Sequence, residues 1–244
     1  MYLNFVPKNK LKFSFSSSFG KSELSKEEIN KTQKFINQYK MISVREESGL
    51  KILINQYKYY NAIRLVDPTL AVDSHFWRSF GMKSKKKIKE KYILIYNLNR
   101  SKDFDRYAKE ISKRTGLKLY RFCTRYDQIF RNGKSLVIPQ IEDFISLVDN
   151  AEYVLTDSFH AVAFSMNLNT IPICIYPQNY SSRISDFLKL LDSEQVHVKN
   201  YDDFDVINRK VDFEKVNLIL KKEREKVEKF LLEMKKIIKE EKSE

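Results

Sequence analysis

The sequence predicts an α/β protein built on parallel sheets, in two units joined by a short polar stretch. Three observations carry that expectation. Short apolar runs alternate with amphipathic stretches of helical period, the strand–helix–strand rhythm of crossover connections. The rhythm breaks once, at the lysine-dense GMKSKKKIKEK of residues 81–91, and then resumes. The run KYILIYNL is continuously apolar rather than alternating, as a strand covered on both faces is.

The first expected element is LKFSFSSSFG, which alternates apolar and small polar residues and reads as a strand running into a loop at Gly20. In SKEEINKTQKFINQY, Ser25 and Glu28 have the spacing of a capping box that opens an amphipathic helix. MISVRE reads as a strand, SGLKILINQY as a helix, and NAIRLV as a strand stopped by the turn signal Asp67-Pro68-Thr69. Residues 1–80 are thus a first lobe, and His75 and Trp77 near its end read as cleft-lining or as packed under the linker. Residues 81–91 read as a solvated linker, since no aromatics interleave the lysines as they would in a nucleic-acid groove. The second lobe is expected over residues 92–205. Its first helix, SKDFDRYAKEISKRTG, has Ser101 to cap it and Gly116 to end it. LKLYRFCT follows as a strand, IEDFISLVDNA as a helix, YVLT as a strand, DSFHAVAFSMNL as a helix, IPICIY as a strand and SSRISDFLKLL as a helix. Residues 206–244 read as a charged C-terminal helix. Its acidic residues nearly match its basic ones, which favours a face packed back on the first lobe over one lying on an anionic membrane.

Composition narrows the function classes. The chain has 244 residues, 42% of them hydrophobic and 32% charged, as a soluble globular protein has. It contains only five glycines, and no Walker-type or GxGxxG phosphate loop can be placed. The formal charge of +13 fits nucleic acid, an anionic membrane or phosphorylated substrates. The lysines are scattered, however, and the abundance of Lys, Asn, Ile and Tyr is equally that of an A+T-rich genome; no nucleic-acid partner is expected. Cys123 and Cys174 stand far apart and suggest neither a disulfide framework nor a zinc site. The start, MYLNFVPKNKLKF, lacks the apolar core of a signal peptide, and the expected location is cytoplasmic.

The candidate chemistry centres on residues 153–160. Ligands of parallel α/β sheets bind at the carboxyl ends of strands, and YVLT delivers Asp157, Ser158 and His160 to that edge. The following helix would present free backbone N–H groups and the positive end of its dipole to an anion. A histidine in that turn can donate to phosphate or exchange a proton near neutral pH. Spacing alone leaves a second reading open, in which Asp157 or Ser158 caps the helix and His160 packs on the sheet.

The segment AEYVLTDSFHAVAFSMNLNTIP resembles the signature of the polysaccharide pyruvyl transferase family, a strand, then T-D-S-F-H-G, a helix, and a short strand after a proline. SFSSSFG, ISVREESGLKIL, LVDPTL and SSRISDFLKLL resemble further stretches of that family in the same order. The resemblance implies two Rossmann-like lobes of the two-lobe glycosyltransferase (GT-B-like) type, facing across a cleft. It implies transfer of the enolpyruvyl unit of phosphoenolpyruvate to two hydroxyls of a hexose, giving a cyclic pyruvate ketal. Arg45, Ser158, His160 and Arg183 are then expected to bind the donor, with His160 catalytic through proton transfer or phosphate contact. Asp157 is a supporting residue, expected to cap the helix rather than orient the histidine, and an ion pair with Glu46 or Glu47 is the plainer reading of Arg45. No metal or redox cofactor is implied. The implied partners are phosphoenolpyruvate and a glycan or lipid-linked sugar acceptor, met at the inner face of the cell membrane.

Two departures modify these expectations. The resemblance begins at an internal strand, so the first lobe is expected to be incomplete, with a sheet edge for a partner chain or a second copy to cover. Ala161 stands where the family has glycine, and its methyl is expected to narrow the space beside the anion. A truncated or split, inactive member and a glycosyltransferase using a nucleotide sugar are the alternatives.

Overall fold

The structure, a computed structural model, describes residues 3–99, 101–137, 139–177 and 182–241. Two compact units make up the chain, Met1–Ala71 with Ile219–Glu244, and Val72–Leu218.

In the first unit, β1 (Phe13–Ser17), β2 (Met41–Val44) and β3 (Ala62–Arg64) form a parallel sheet in the order β1-β2-β3. The serine run bends β1. Ser16 adopts φ 47°, and the register with β2 shifts between Ser14 and Ser17. Ser43 holds the bulge: its hydroxyl accepts from the Ser16 N–H at 2.8 Å and donates to the Ser14 carbonyl at 3.0 Å. Helix α1 (Lys26–Ile36) carries the expected capping box of Ser25 and Glu28. α2 (Glu47–Lys51) continues as a wider π-turn over Ile52–Gln56 and packs Ile52, Leu53 and Tyr57 under the sheet with Ile36, Ile42 and Val44. The long helix α8 (Phe213–Glu241) starts later than residue 206, because a 3-10 turn over Phe204–Asn208 precedes it. From Ile219 onward it belongs to this unit, where Phe230 stacks on Phe15 and Glu223 pairs with Arg64 at 2.8 Å.

The second unit has a five-stranded parallel sheet of β4 (Tyr92–Tyr96), β5 (Lys118–Cys123), β6 (Lys134–Val137), β7 (Tyr153–Thr156) and β8 (Ile171–Cys174), in the order β6-β5-β4-β7-β8. Side chains of β4 alternate between two cores, as the pleat requires. Tyr92 and Leu94 face α5 (Ile141–Asp149) and α6 (Phe159–Leu168); Ile93 and Ile95 face α4 (Lys102–Thr115). β6 was not foreseen from the sequence, for its four residues KSLV carry no continuous apolar run.

Two sequence boundaries move. Residues 72–80, counted above with the first lobe, belong to the second unit and lead into and form most of α3 (Ser74–Gly81). Trp77 meets Phe164 edge-on at 4.9 Å, and Arg78 pairs with Asp149 at 2.9 Å and donates to the Leu168 carbonyl at 2.7 Å. The expected linker also lies within this unit. Ser84 is buried and donates to Asp143 at 2.7 Å, and Ile88 packs against the core. Its lysines remain largely at the surface. No helix among the described residues is long and apolar enough to cross a membrane.

Candidate active site

Strand order locates the crevice of the second sheet. From β4 the chain builds outward through β5 and β6, then crosses to the other side of β4 to lay down β7 and β8. The connections leaving β4 and β7 therefore diverge, and the gap at their carboxyl ends is the topological switch point where open α/β sheets bind ligands. Asp157, Ser158 and His160 all lie at the β7 side of that gap.

Asp157 does not cap α6. Its Oδ1 accepts the Leu98 N–H at 2.7 Å; its Oδ2 accepts the Asn99 N–H at 3.0 Å and the Asn99 side-chain amide at 2.9 Å. Two backbone donors and an amide on the β4 loop offer this carboxylate more than one N–H of its own helix could. Ser158 holds the N-cap position yet makes no side-chain capping bond. Its N–H donates to Thr156 Oγ1 at 2.9 Å, and that hydroxyl donates to the Tyr96 carbonyl at 2.6 Å. The T-D-S run is thus a clamp between the ends of β7 and β4.

His160 is exposed in the first turn of α6, its ring edge-on to Phe159 at 5.5 Å. Phe159 is buried and seats against Phe187 of α7 (Ser182–Leu190) at 5.7 Å. The packed reading of His160 is therefore wrong; its neighbour Phe159 does the packing. Ala161 also behaves differently from expectation. It is fully buried in the core with Leu94 and Phe164, so its methyl fills the sheet side of α6 rather than the space at the helix mouth. Arg183 lies at the second position of α7, one turn before Phe187 on the same face. That face meets the first turn of α6 through the Phe187–Phe159 contact. The SSRISDFLKLL segment begins at Ser181, which is outside the described residues.

The β4 loop is braced from the other side by residues the sequence did not single out. Arg121 of β5 has no exposed surface and is satisfied on all three nitrogens: Nη1 to Asn97 at 2.5 Å, Nη2 to Asp105 at 2.6 Å, Nε to the Asn132 carbonyl at 2.9 Å. Burial disfavours its charge, while Asp105 opposes that effect. Gln128, also buried, donates to the Asn97 carbonyl at 2.8 Å and accepts the Thr124 N–H at 2.8 Å. Arg125 donates to the Leu98 carbonyl at 2.7 Å. Nothing in YRFC marks Arg121 as buried; only the three-dimensional placement of Asp105 and Asn97 explains it.

Arg45 follows β2 in the first unit. Its ion-pair partner at hydrogen-bond range is Asp67 of the DPT turn; Glu46 is 3.9 Å from its Nε. The expected pair with Glu46 is present, but long and buried rather than at the surface, because Glu46 is turned inward. Its Oε1 accepts the Phe19 and Gly20 N–H groups at 2.9 and 3.3 Å. Gly49 makes room there, since a Cβ would sit 3.4 Å from Glu46 Oε1 and 3.3 Å from the Val44 Cβ. Asp67 is more than a turn residue. It accepts Thr69 N–H and Oγ1 at 3.0 and 2.8 Å as well as the Arg45 guanidinium. Burial pushes its carboxyl up, but the Thr69 hydrogen bonds and Arg45 outweigh it and hold the group below the usual carboxylate range.

The remaining histidines sit apart. His75 is exposed on α3, and His197 stacks on Tyr176 with ring centroids 3.5 Å apart. Burial lowers the His197 imidazole from its ordinary value and pushes the Tyr176 phenol up to about 12. Among the described residues, no group of three or more His, Cys, Asp or Glu converges as a metal site.

The family model described as polysaccharide pyruvyl transferase matches residues 1–179 of the chain. That span takes in the serine bulge, the Arg45–Asp67 pair and the clamp at Asp157, and ends before Arg183. No curated protein matches the chain.

Proposed function

Because the chain belongs to the polysaccharide pyruvyl transferase family, we propose that it moves the enolpyruvyl unit of phosphoenolpyruvate onto two hydroxyls of a hexose in a growing surface or extracellular polysaccharide. The observation that carries this reading is the exposed His160 in the first turn of α6, beside a loop that Asp157 fixes at the switch point. Phosphoenolpyruvate presents a phosphate and a carboxylate. The amino end of α6 favours one anion by its N–H groups and dipole, and Arg183 on the neighbouring helix supplies a cation for the other. Ser158 and His160 add donors at the same corner. Arg45 is held by Asp67 in the first unit; a smaller donor-induced rise in unfolding midpoint for Arg45→Lys is the result expected of a share in donor binding.

The chemistry needs a proton donor, a proton acceptor and support for departing phosphate. Protonation of the methylene carbon turns the enol phosphate into an oxocarbenium-like centre at C2. One sugar hydroxyl adds there and gives up its proton; the second hydroxyl then adds as the C2–O bond to phosphate breaks, and its proton leaves with the phosphate. The products are the cyclic ketal and inorganic phosphate, with no net change of oxidation state over the transferred three-carbon unit. His160 gives or takes the proton at the donor. We place the reaction at the cytoplasmic face of the membrane, where this donor and lipid-linked sugars meet.

Heat unfolding with and without phosphoenolpyruvate tests the donor claim, since a ligand specific for the native state must raise the midpoint. A rise that His160→Ala and Arg183→Ala each diminish is the expected result. No rise at millimolar donor rejects donor binding by this chain.

A further inference from the structure

The lysine-dense stretch that precedes β4 is more ordered than a solvated linker needs to be. From Ser84 to Lys91 exposure alternates at period two. Lys85, Lys87, Lys89 and Lys91 are exposed, while Ser84, Lys86, Ile88 and Glu90 are buried or partly covered. The covered residues fix the backbone. Ser84 donates to Asp143 at 2.7 Å and accepts the Lys86 N–H at 3.1 Å, and Ile88 packs against the core that contains Tyr120. Lys134 of β6, in register with Tyr120 of β5, joins Lys85, Lys86, Lys87 and Lys89 in lining a groove of about 550 Å³. The nearby carboxylates are already engaged. Glu90 is held by Lys118 and the Tyr120 hydroxyl; Asp143 is held by Ser84, by the Gln140 N–H at 2.9 Å and by Lys86 at 3.7 Å. Among the described residues, Lys85, Lys87, Lys89 and Lys134 have no ion-pair partner.

We propose that this lysine comb and its groove dock the protein on a membrane surface that carries anionic phospholipid headgroups. Lysine clusters of this size are what the negative potential of such a leaflet attracts. Lysine is a hydrated point charge on a flexible stem, which suits many mobile headgroups; the described lining has no arginine fork to grip a single phosphate. Two features favour lipid over a nucleic acid. Tyr120, the one aromatic of the described lining, is buried, with its hydroxyl tied to Glu90 and the Lys134 ammonium 5.6 Å from its ring centroid, so it offers no platform for a base. Met82, at the head of the same segment, is 77% exposed, an apolar side chain that a headgroup layer can take up. Lys134 opens β6 at its amino end, whereas the crevice lies at the carboxyl ends of β4 and β7, so docking here does not cover it. The surface stands on these residues and not on the transferase reading.

Co-sedimentation of the full chain with vesicles tests the inference, using phosphatidylcholine alone and phosphatidylcholine with one-third phosphatidylglycerol. Binding to the anionic vesicles only is expected, weakening as salt is raised. Lys85→Gln/Lys87→Gln/Lys89→Gln should weaken it on the order of a hundredfold, at about fivefold for each charge near the surface. Lys221→Gln/Lys222→Gln/Lys229→Gln on α8 removes the same charge and should leave binding unchanged. All six side chains are exposed, so an unchanged unfolding midpoint verifies that both variants are folded. No binding to anionic vesicles, equal binding by the groove variant, or an equal loss in the α8 variant overturns the proposal. Tighter retention on single-stranded DNA than on the anionic vesicles, abolished by the groove substitutions, overturns it in favour of a nucleic acid. Displacement from vesicles by inorganic phosphate, where sodium chloride of matched ionic strength displaces nothing, overturns it in favour of the free ion. The phosphoenolpyruvate shift measured on the same samples separates the two readings. A donor shift without vesicle binding rejects the docking surface alone, and vesicle binding without a donor shift rejects donor binding alone.

Discussion

Replacing Asp157 by alanine removes three hydrogen bonds to a buried carboxylate, at 2.7, 3.0 and 2.9 Å, that tie the β4 loop to the end of β7. Bonds to charged groups contribute about 1.5–3 kcal/mol each when their donors are left unsatisfied. Here Leu98 and Asn99 are exposed, and water can take up much of what the carboxylate gave. The expected loss is therefore about 3 kcal/mol rather than the full sum. For a unit of this size it corresponds to a fall of about 6–12 °C in unfolding midpoint. Asp157→Asn retains one acceptor oxygen and turns an NH₂ toward an N–H, so its loss should be about half as large. Hydrogen exchange reads the loop itself: the Leu98 and Asn99 amides should lose protection in the alanine variant while those of β4 keep theirs. If both amides exchange as in the parent chain and the midpoint is unmoved, Asp157 is not the clamp and the argument for a fixed crevice fails.

Other outcomes follow from the same contacts. Arg121→Lys should destabilise by about 3 kcal/mol in urea unfolding, because an ammonium cannot reach Asn97, Asp105 and the Asn132 carbonyl together and leaves buried partners unmet. Arg45→Ala should cost a similar amount, about 3 kcal/mol, by leaving Asp67 without its cation. Asp67 has a folded value below its unfolded one, so its contribution is complete above the ordinary carboxylate range and is lost as pH falls through the lowered value. Stability measured against pH should accordingly drop on the acid side, and Asp67→Asn should flatten that limb. Gly133→Ala should destabilise by about 1–3 kcal/mol, since φ is +102° and the new Cβ would lie 3.2 Å from the Leu119 Cβ.

Local signals were legible in the sequence where they act locally. The Ser25–Glu28 capping box, the Ser101 cap and the left-handed Gly116 at the end of α4 appear as read. So does the placement of His160 in the first turn after a strand. Roles that depend on a distant partner were not legible. Asp157 reads as a cap because its own helix is the nearest source of N–H groups in sequence, yet the β4 loop supplies more of them in space. Arg45 reads as a surface cation because two glutamates follow it, yet it is largely buried and Asp67, far along the chain, is its closer partner, with Glu46 at 3.9 Å. Arg121 sits between the buried Tyr120 and Phe122, and only the approach of Asp105 and Asn97 makes a charge tolerable there. The lysine-rich segment reads as a linker because its side chains are solvated, while Ser84 and Ile88 anchor its backbone to the second unit. Ala161 departs from the family's glycine without consequence for the helix mouth, because the helix turns its methyl into the core.

The claim that the donor binds at the β4–β7 crevice is tested most directly by titrating phosphoenolpyruvate into the ¹⁵N-labelled chain and mapping which backbone amides move. The chain offers a competing attraction for an anion, a lysine-rich groove beside β5 and β6 of the same sheet, lined by Lys85, Lys86, Lys87, Lys89 and Lys134 among others. The account expects the amides of Leu98, Asn99, Ser158, Phe159 and His160 to shift with a common saturation curve while those around Lys85 and Lys134 stay still. Shifts confined to the lysine groove, or spread weakly over the whole basic surface, would contradict it.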